Sequence, residues 1–321
     1  MAESVQNLKK RLKSVANINK ITKAMELVAA TKMRRSQEIA LASRPYAFAA
    51  LDLLANLTLL PALSGVEGEK PELLKQRKVK KVLFVLVASD KGLAGAFNSA
   101  LFRKFEQHIA EHKEKYKNEE KIFIAVGEKA FQYLYKKEWN VAKKFTQVGD
   151  YTATQQIQPL TDFIVAGYLE KKWDRVVVFA THFTSALKQE PLVRRVLPID
   201  FDHIKEIVQE ITPTTGRFAE MIKEQNLSFT NGNKEEKEYL IEPSPAAVLE
   251  DLARHLLFMQ VYHVILEANA SEHSARRLAM KTASDNASDL GQVLNLQYNK
   301  VRQASITNQI IEISAGAEAQ T

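Results

Sequence analysis

From Glu3 to about Leu60 the chain has no Gly and a single Pro, and Val5, Leu8, Leu12 and Val15 repeat with the 3-4-3 spacing of a coiled-coil seam. That pattern predicts a long helix. Ile18, Ile21, Met25 and Val28 extend it one residue out of strict heptad phase, an offset that would locally overwind a helix pair. Pro45, in SRPYA, is expected to bend or divide the helix. A second helical pattern opens at EPSPAAVLEDLARHLL, where Ser244 suits the cap and Pro245 the first helical position. It runs to about Ala315 with Gly291 as its one glycine. At ~1.5 Å per residue the two helices would be roughly 85 and 105 Å long, too long to be buried in a compact domain of this size.

Between them the pattern changes. Val82 to Ala88 (VLFVLVA), Ile122 to Val126 (IFIAV) and Arg175 to Ala180 (RVVVFA) are short, apolar and rich in β-branched residues, and helical patterns separate them. This is the signature of βαβ units in a parallel sheet covered on both faces. Leu192 to Ile199 adds a candidate edge strand. The polar stretches SGVEGEKPELLKQRK and NGNKEEKEYLIEPSP read as connections. The expected organisation is an N-terminal shaft helix (1–60), a linker (61–80), an α/β domain (81–212), a second linker (213–243) and a C-terminal shaft helix (244–321). The fold class is α/β: a long antiparallel coiled coil of the two terminal segments, with an inserted Rossmann-like domain whose sheet is mostly parallel.

A domain inserted between two helices brings its own ends together, so the helices leave it side by side and antiparallel. With Leu60 and Ser244 as the common base, Glu3 falls opposite about residue 301 and residue 25 opposite about 279. The C-terminal helix then continues for some four turns beyond the end of its partner. This overhang, which includes most of YNKVRQASITNQI (Tyr298 to Ile310), is either a fraying end or a surface made for a partner.

The apolar content is 45%, enough for a sizeable core, and no apolar run approaches the ~18 residues that a membrane span needs. With no signal-peptide pattern at its start, the chain is expected to stay in the compartment where it is made. There is no Cys, which excludes disulfides, thiolate metal sites and Cys nucleophiles. The net charge is +7, and Met1 to Arg35 carries nine Lys or Arg against two Glu, so the whole excess sits at the start. Nucleic acid, an anionic membrane or an acidic protein surface would all be attracted to it. The segment lacks the interleaved aromatics of many nucleic-acid binders.

Candidate chemistry is sparse. Ala88 to Asn98 (ASDKGLAGAFN) is a Gly-containing loop after a strand, where phosphates are often cradled. Gly92 and Gly95 form G-x-x-G, which is neither dinucleotide nor P-loop fingerprint, so a tight structural turn is the better reading. His108 to His112 (HIAEH) matches the inverted zinc-protease pattern, but its flanks are those of a solvated helix end and it reads as a chance match. His263 and His273 fall on the long helix and are expected to make polar interhelical contacts. No Ser–His–acid set and no carboxylate pair stands out. No catalytic, cofactor-binding or metal-binding residue is expected, and no cofactor.

Five segments carry a resemblance that spans the chain: NINKITKAMELVAATKMRRSQ (Asn17 to Gln37), SRPYA (Ser43 to Ala47), SDKGLAGAFN (Ser89 to Asn98), EANASEHSARRLAMKTASDNASDL (Glu267 to Leu290) and LQYNKVRQASITNQIIEISAGA (Leu296 to Ala317). In order, they resemble the hallmark segments of the gamma-subunit family of F-type ATP synthases. The resemblance implies a non-catalytic central rotor shaft, one copy per complex. Its partners would be the alpha and beta subunits around the hairpin, and the epsilon subunit and membrane c-ring at the α/β foot. It implies beta-subunit contacts at Lys23, Met25 and Arg276 on the shaft and at Arg302, Gln303, Thr307 and Glu312 near the tip, with Gly92 and Gly95 in a structural loop. A peripheral location on the cytoplasmic face of the bacterial inner membrane follows from it, together with the lack of a transit peptide. Gln309 stands where the family usually has an acid, which puts a charge contact there in question, and Ala94 stands where many relatives have Cys. Two other classes of function compete: a basic coiled-coil adaptor that binds nucleic acid, and a small α/β enzyme at the Gly92–Gly95 loop.

Overall fold

The computed structural model describes residues 4–42, 71–114, 116–149, 153–199, 242 and 244–318. The expectations for Pro45 and residues 43–60, for the first linker up to residue 70, and for residues 200–241 lie outside the described residues. Helix α1 (Val5–Ala42) and the 74-residue helix α5 (Pro245–Glu318) are the two long helices that the patterning predicts. Ser244 caps α5: its hydroxyl accepts from the Ala247 amide at 3.3 Å, ahead of Pro245, whose missing N–H costs nothing at the first helical position.

Two compact units result, one formed by Met1–Ala30 with Arg276–Thr321, the other by Thr31–Ala275. In the second, a five-stranded sheet has the order β3-β2-β1-β4-β5. The strands are β1 (Lys81–Val87), β2 (Glu120–Val126), β3 (Val141–Phe145), β4 (Arg175–Phe183) and β5 (Gln189–Leu197). The first four are parallel, with Val85 paired to Ile124 on one side and to Val178 on the other, while β5 adds antiparallel to β4. The sequence expectation thus holds for β1, β2, β4 and the edge strand β5. It missed β3, a five-residue edge strand containing Lys143 and Lys144.

Alternate side chains of the central strands enter opposite layers. Leu83, Val85, Val87, Val176 and Val178 pack with α4 (Thr154–Leu169) through Ile157, Leu160 and Ile164. Leu249 to Ala268 of α5 belong to the same core, and Ile39 and Ala40 of α1 pack against it. Val82, Phe84, Leu86 and Phe179 meet α2 (Phe97–Glu111) and α3 (Glu128–Lys136) through Leu101, Phe105, Ala130 and Leu134. Burial on both faces is why these strands read as unbroken apolar runs. The first part of α5 is therefore a covering helix of the sheet, and the division between the units falls inside the long helices rather than at their ends.

The other unit is an antiparallel hairpin. Asn19 Nδ2 donates to the Ser284 carbonyl at 2.8 Å, and a Cβ on Gly291 would stand 3.8 Å from Val15 Cγ1. The paired numbers sum to 303 and 306, around the expected pairing of residue 25 with about 279. On α5 the seam runs through Met280, Ser284, Ala287, Gly291, Leu294, Tyr298, Val301 and Ser305, spaced alternately by four and three, with Ala279 and Ala283 partly covered beside it. Beyond Ser305 every residue from Ile306 to Ala315 is exposed, as expected for a helix that outruns its partner.

Candidate partner-binding surface

On α1 the covered positions are Val5, Leu8, Leu12, Val15, Asn19, Thr22, Glu26 and Ala29, again alternating three and four without a break. The predicted offset through Ile18, Ile21, Met25 and Val28 is therefore corrected: the seam holds its heptad phase by accepting polar residues. Thr22 satisfies its hydroxyl within the helix, donating to the Ile18 and Asn19 carbonyls at 3.0 Å each. Asn19 reaches across to α5, and Glu26 is held at the seam's edge by Lys23, 2.9 Å away. Ile18, Ile21 and Val28 instead point outward, 51%, 60% and 55% exposed, with Met25 half-buried beside them. Leu278, Leu290, Val293 and Leu296 do the same on α5.

The candidate contact residues fall into two sets along the hairpin. From the Asn19–Ser284 pairing, Lys23, Met25 and Arg276 lie within roughly one helical turn of one another along the axis. Arg302, Gln303, Thr307 and Glu312 are all exposed and begin roughly 40 Å further along α5, at ~1.5 Å per residue. The Arg302 guanidinium sits 6.0 Å above the Tyr298 ring, and the Thr307 hydroxyl donates to the Gln303 carbonyl at 3.0 Å. Ile306, Ile310, Ile311 and Ile313 surround this second set with exposed apolar surface.

In the α/β unit the loop after β1 is tied down by its own side chains. The Asn98 amide donates to Ser89 Oγ at 2.7 Å, and the Ser89 hydroxyl donates to the Lys91 carbonyl at 2.7 Å. Asp90 accepts from the Glu128 amide at 3.0 Å, which places its charge at the start of α3, and from the Gln147 amide at 2.9 Å. Gly95 has φ 56° and Gly127 has φ 92°, whereas a Cβ on Gly92 would meet nothing within 4 Å. Through these bonds the loop acts as a clamp between strand ends.

The crevice beyond the carboxyl ends of the strands, where an open α/β enzyme would keep its site, is filled by α5 itself. Asn269 Nδ2 donates to the Val148 carbonyl at 3.0 Å, His273 Nε2 to Gly149 at 3.0 Å, and the Ser271 and Ser274 hydroxyls to Thr181 and Ala186 at 3.3 and 2.7 Å. His273 is therefore bonded to a loop of the α/β unit, a partner beyond the interhelical contact expected from the sequence. Below it, Glu267 accepts from His182 Nδ1 at 2.9 Å and Arg194 Nη1 at 3.4 Å. Burial drives the Glu267 carboxyl upward, but these two partners outweigh it and hold the group below the usual carboxylate range. Burial also pulls the neighbouring His263 down to about 4, so it is neutral at pH 7.

His108 and His112 are engaged with each other and with Tyr116. Their rings stack at 4.2 Å, His108 Nε2 is 2.9 Å from the Tyr116 hydroxyl, and His112 Nδ1 donates to the His108 carbonyl. Among the described residues no group of His, Asp or Glu is arranged to hold a metal ion, and no helix is long and apolar enough to cross a membrane.

A helical hairpin that seals its seam with polar groups and turns isoleucines outward, joined to an α/β unit whose ligand crevice is closed by its own helix, defines a coiled-coil scaffold that works through its surface. The sequence model of the ATP synthase family matches residues 4–320. ATP synthase gamma chains of Moorella thermoacetica and Roseiflexus castenholzii are each 35% identical over 98% of this chain and of their own length, and that of Opitutus terrae is 36% identical over 97% of both. The chain belongs to the ATP synthase gamma-chain family. Its fold is that of chains in the Euglena gracilis mitochondrial ATP synthase (OSCP/F1/c-ring, rotational state 3; TM-score 0.60, 17% identity, 98% of this chain and 94% of that one) and in the Tetrahymena thermophila mitochondrial ATP synthase central stalk and c-ring (TM-score 0.55, 20% identity, 82% and 99%).

Proposed function

We propose that this chain is the non-catalytic central rotor shaft of an F-type ATP synthase, present once per complex. The hairpin stands among the alpha and beta subunits, and the α/β unit meets the epsilon subunit and the membrane c-ring. The complex works at the cytoplasmic face of a bacterial inner membrane, with this chain peripheral to it. The observation that carries the reading is the outward surface of Ile18, Ile21 and Val28, with half-buried Met25 beside them, on a helix whose own seam is already complete. Apolar surface of that kind is made to be covered by other chains.

In this reading Lys23, Met25 and Arg276 bear on one segment of a beta subunit, and Arg302, Gln303, Thr307 and Glu312 on its upper loops. A rod with a different face toward each of three equivalent beta subunits stabilises a different conformation in each by its difference in contact free energy. Rotation cycles those preferences. Because the coupling is reciprocal, nucleotide occupancy turns the rod and torque on the rod releases ATP.

The test is reconstitution with alpha, beta and epsilon subunits and the membrane sector. Met25→Lys or Arg276→Ala should leave the complex assembled and hydrolysing ATP while lowering the ions pumped per ATP. Unchanged coupling in both variants removes the contact assignment, and failure of the wild-type chain to co-purify with alpha and beta subunits removes the shaft itself.

A further inference from the structure

A cavity of about 720 Å³ opens on the α/β unit between the C-terminal half of α2 and the start of β2, a size usual for small-molecule sites. Its floor is aromatic. Half-buried Trp139 packs against Phe105 and Phe123 with centroids 4.9 and 4.6 Å away. The buried Tyr116 ring meets Phe84 edge-on at 5.3 Å, with its hydroxyl 2.9 Å from His108 Nε2.

Among the described residues the rim is basic, with Lys113, Lys117, Lys121 and Lys137 against Glu106 and Glu114, an excess of two positive charges. Lys137 is paired with Glu106 at 2.8 Å, and Lys121 donates to the Tyr116 carbonyl at 2.8 Å. Lys117 stands 4.0 Å from the exposed Glu114, and the Lys113 ammonium has no partner among the described residues. An unpaired Lys113 and a Lys117 held only loosely by Glu114, beside an aromatic floor, select a ligand that is aromatic at one end and anionic at the other. A bare inorganic anion would leave the floor wet, and a neutral aromatic would forgo the lysines.

We propose that this cavity binds a small soluble aromatic anion, its ring against Trp139 and its carboxylate or sulfonate between Lys113 and Lys117. The assignment is independent of the shaft reading, because its residues all lie in the α/β unit.

The full chain is titrated with naphthalene-1-sulfonate by calorimetry and tryptophan emission. The chain has two Trp, and Trp173 is buried with its Nε1 donating to the Ile164 carbonyl, so a change in emission reports on Trp139. Saturable binding is expected, about tenfold tighter than for neutral 1-naphthalenemethanol, with no emission change on adding sulfate. Lys113→Glu with Lys117→Glu should weaken it by about tenfold or more without moving the melting temperature, since both side chains are exposed. Equal affinity for the neutral analogue, or unchanged affinity in the double variant, overturns the proposal. So does a response to phosphatidylglycerol vesicles with none to the monomeric sulfonate, which would make the lysine rim a membrane-facing surface.

Discussion

The side-chain amide of Asn19 donates to the backbone carbonyl of Ser284 at 2.8 Å, joining two positions 265 residues apart in the seam of the hairpin. A polar group in a seam fixes register, because a shifted pairing would leave it buried without its partner. The positions flanking this bond are therefore predictable to the residue.

With no native Cys to interfere, Val15→Cys and Gly291→Cys should form a disulfide under mild oxidation. A Gly291 Cβ would lie 3.8 Å from Val15 Cγ1, near the place the new sulfur at position 15 would take, so a small adjustment brings the two sulfurs within bonding reach. Val15→Cys with Gln297→Cys, roughly 9 Å further along the axis at ~1.5 Å per residue, should stay reduced. Equal cross-linking of the two pairs on a non-reducing gel would contradict this register.

Gly291→Ala should stabilise the hairpin. The new methyl meets only Val15, at ordinary van der Waals distance, and a helix-interior glycine costs about 0.5 to 1 kcal/mol relative to alanine. Amide exchange around residues 284–298 should slow by about two- to fivefold. Faster exchange would mean that the seam is tighter at this level than its geometry implies.

Gly127→Ala and Gly92→Ala should separate sharply, although both alter the same cluster of loops. At Gly127 a Cβ would fall 2.0 Å from the Ala88 carbonyl oxygen in backbone of positive φ, so a loss of about 3 kcal/mol or more is expected. Gly92 has open space, and its variant should melt within about 0.5 kcal/mol of wild type by calorimetry.

Stability should fall as pH drops from 6.5 toward 4, before most carboxylates titrate. His263 has a folded-state pKa of about 4, below its unfolded value, so across this window the unfolded chain binds a proton that the folded chain refuses. The cost should approach roughly 2 to 3 kcal/mol at pH 4. Glu267, also held low, keeps its contribution above the ordinary carboxylate range and loses it only at more acidic pH. His263→Leu should flatten the denaturation midpoint between pH 6.5 and 4; an unaltered slope would place the titration elsewhere.

The two long helices, three central strands and antiparallel edge strand were legible because each is a long periodic run or an unbroken apolar one. Strand β3 was not, since Lys143 and Lys144 lower its apolar content. The structure accommodates them at an edge: the Lys143 ammonium lies 4.7 Å from the Phe163 ring, and Lys144 is 2.6 Å from Glu128. The seam beyond Val15 is masked in the sequence by Ile18, an apolar residue one position before the polar Asn19 that keeps the heptad phase. The 3-4-3 spacing continues through Asn19, Thr22 and Glu26 and leaves the isoleucines as outward surface.

Other features had no local signal. His182, Arg194 and Glu267 converge only after folding, from positions 85 and 73 residues apart. The stretch from Glu267 to Ser274 was recognisable as a hallmark, yet nothing in its spacing disclosed that it docks the long helix on the strand ends. The G-x-x-G loop stands out by its glycines, whereas the carboxylate that anchors it, Asp90, has no local signal, because its partners Glu128 and Gln147 lie 38 and 57 residues away.

Since α1 commits polar residues to the inside and isoleucines to the outside, damage to its two rows should reveal itself in different company. A lesion at Leu8 or Asn19 is a private fault, visible when the chain is heated alone. One at Ile18 or Ile21 is a social fault, silent in solitude and apparent only once neighbours have closed around it.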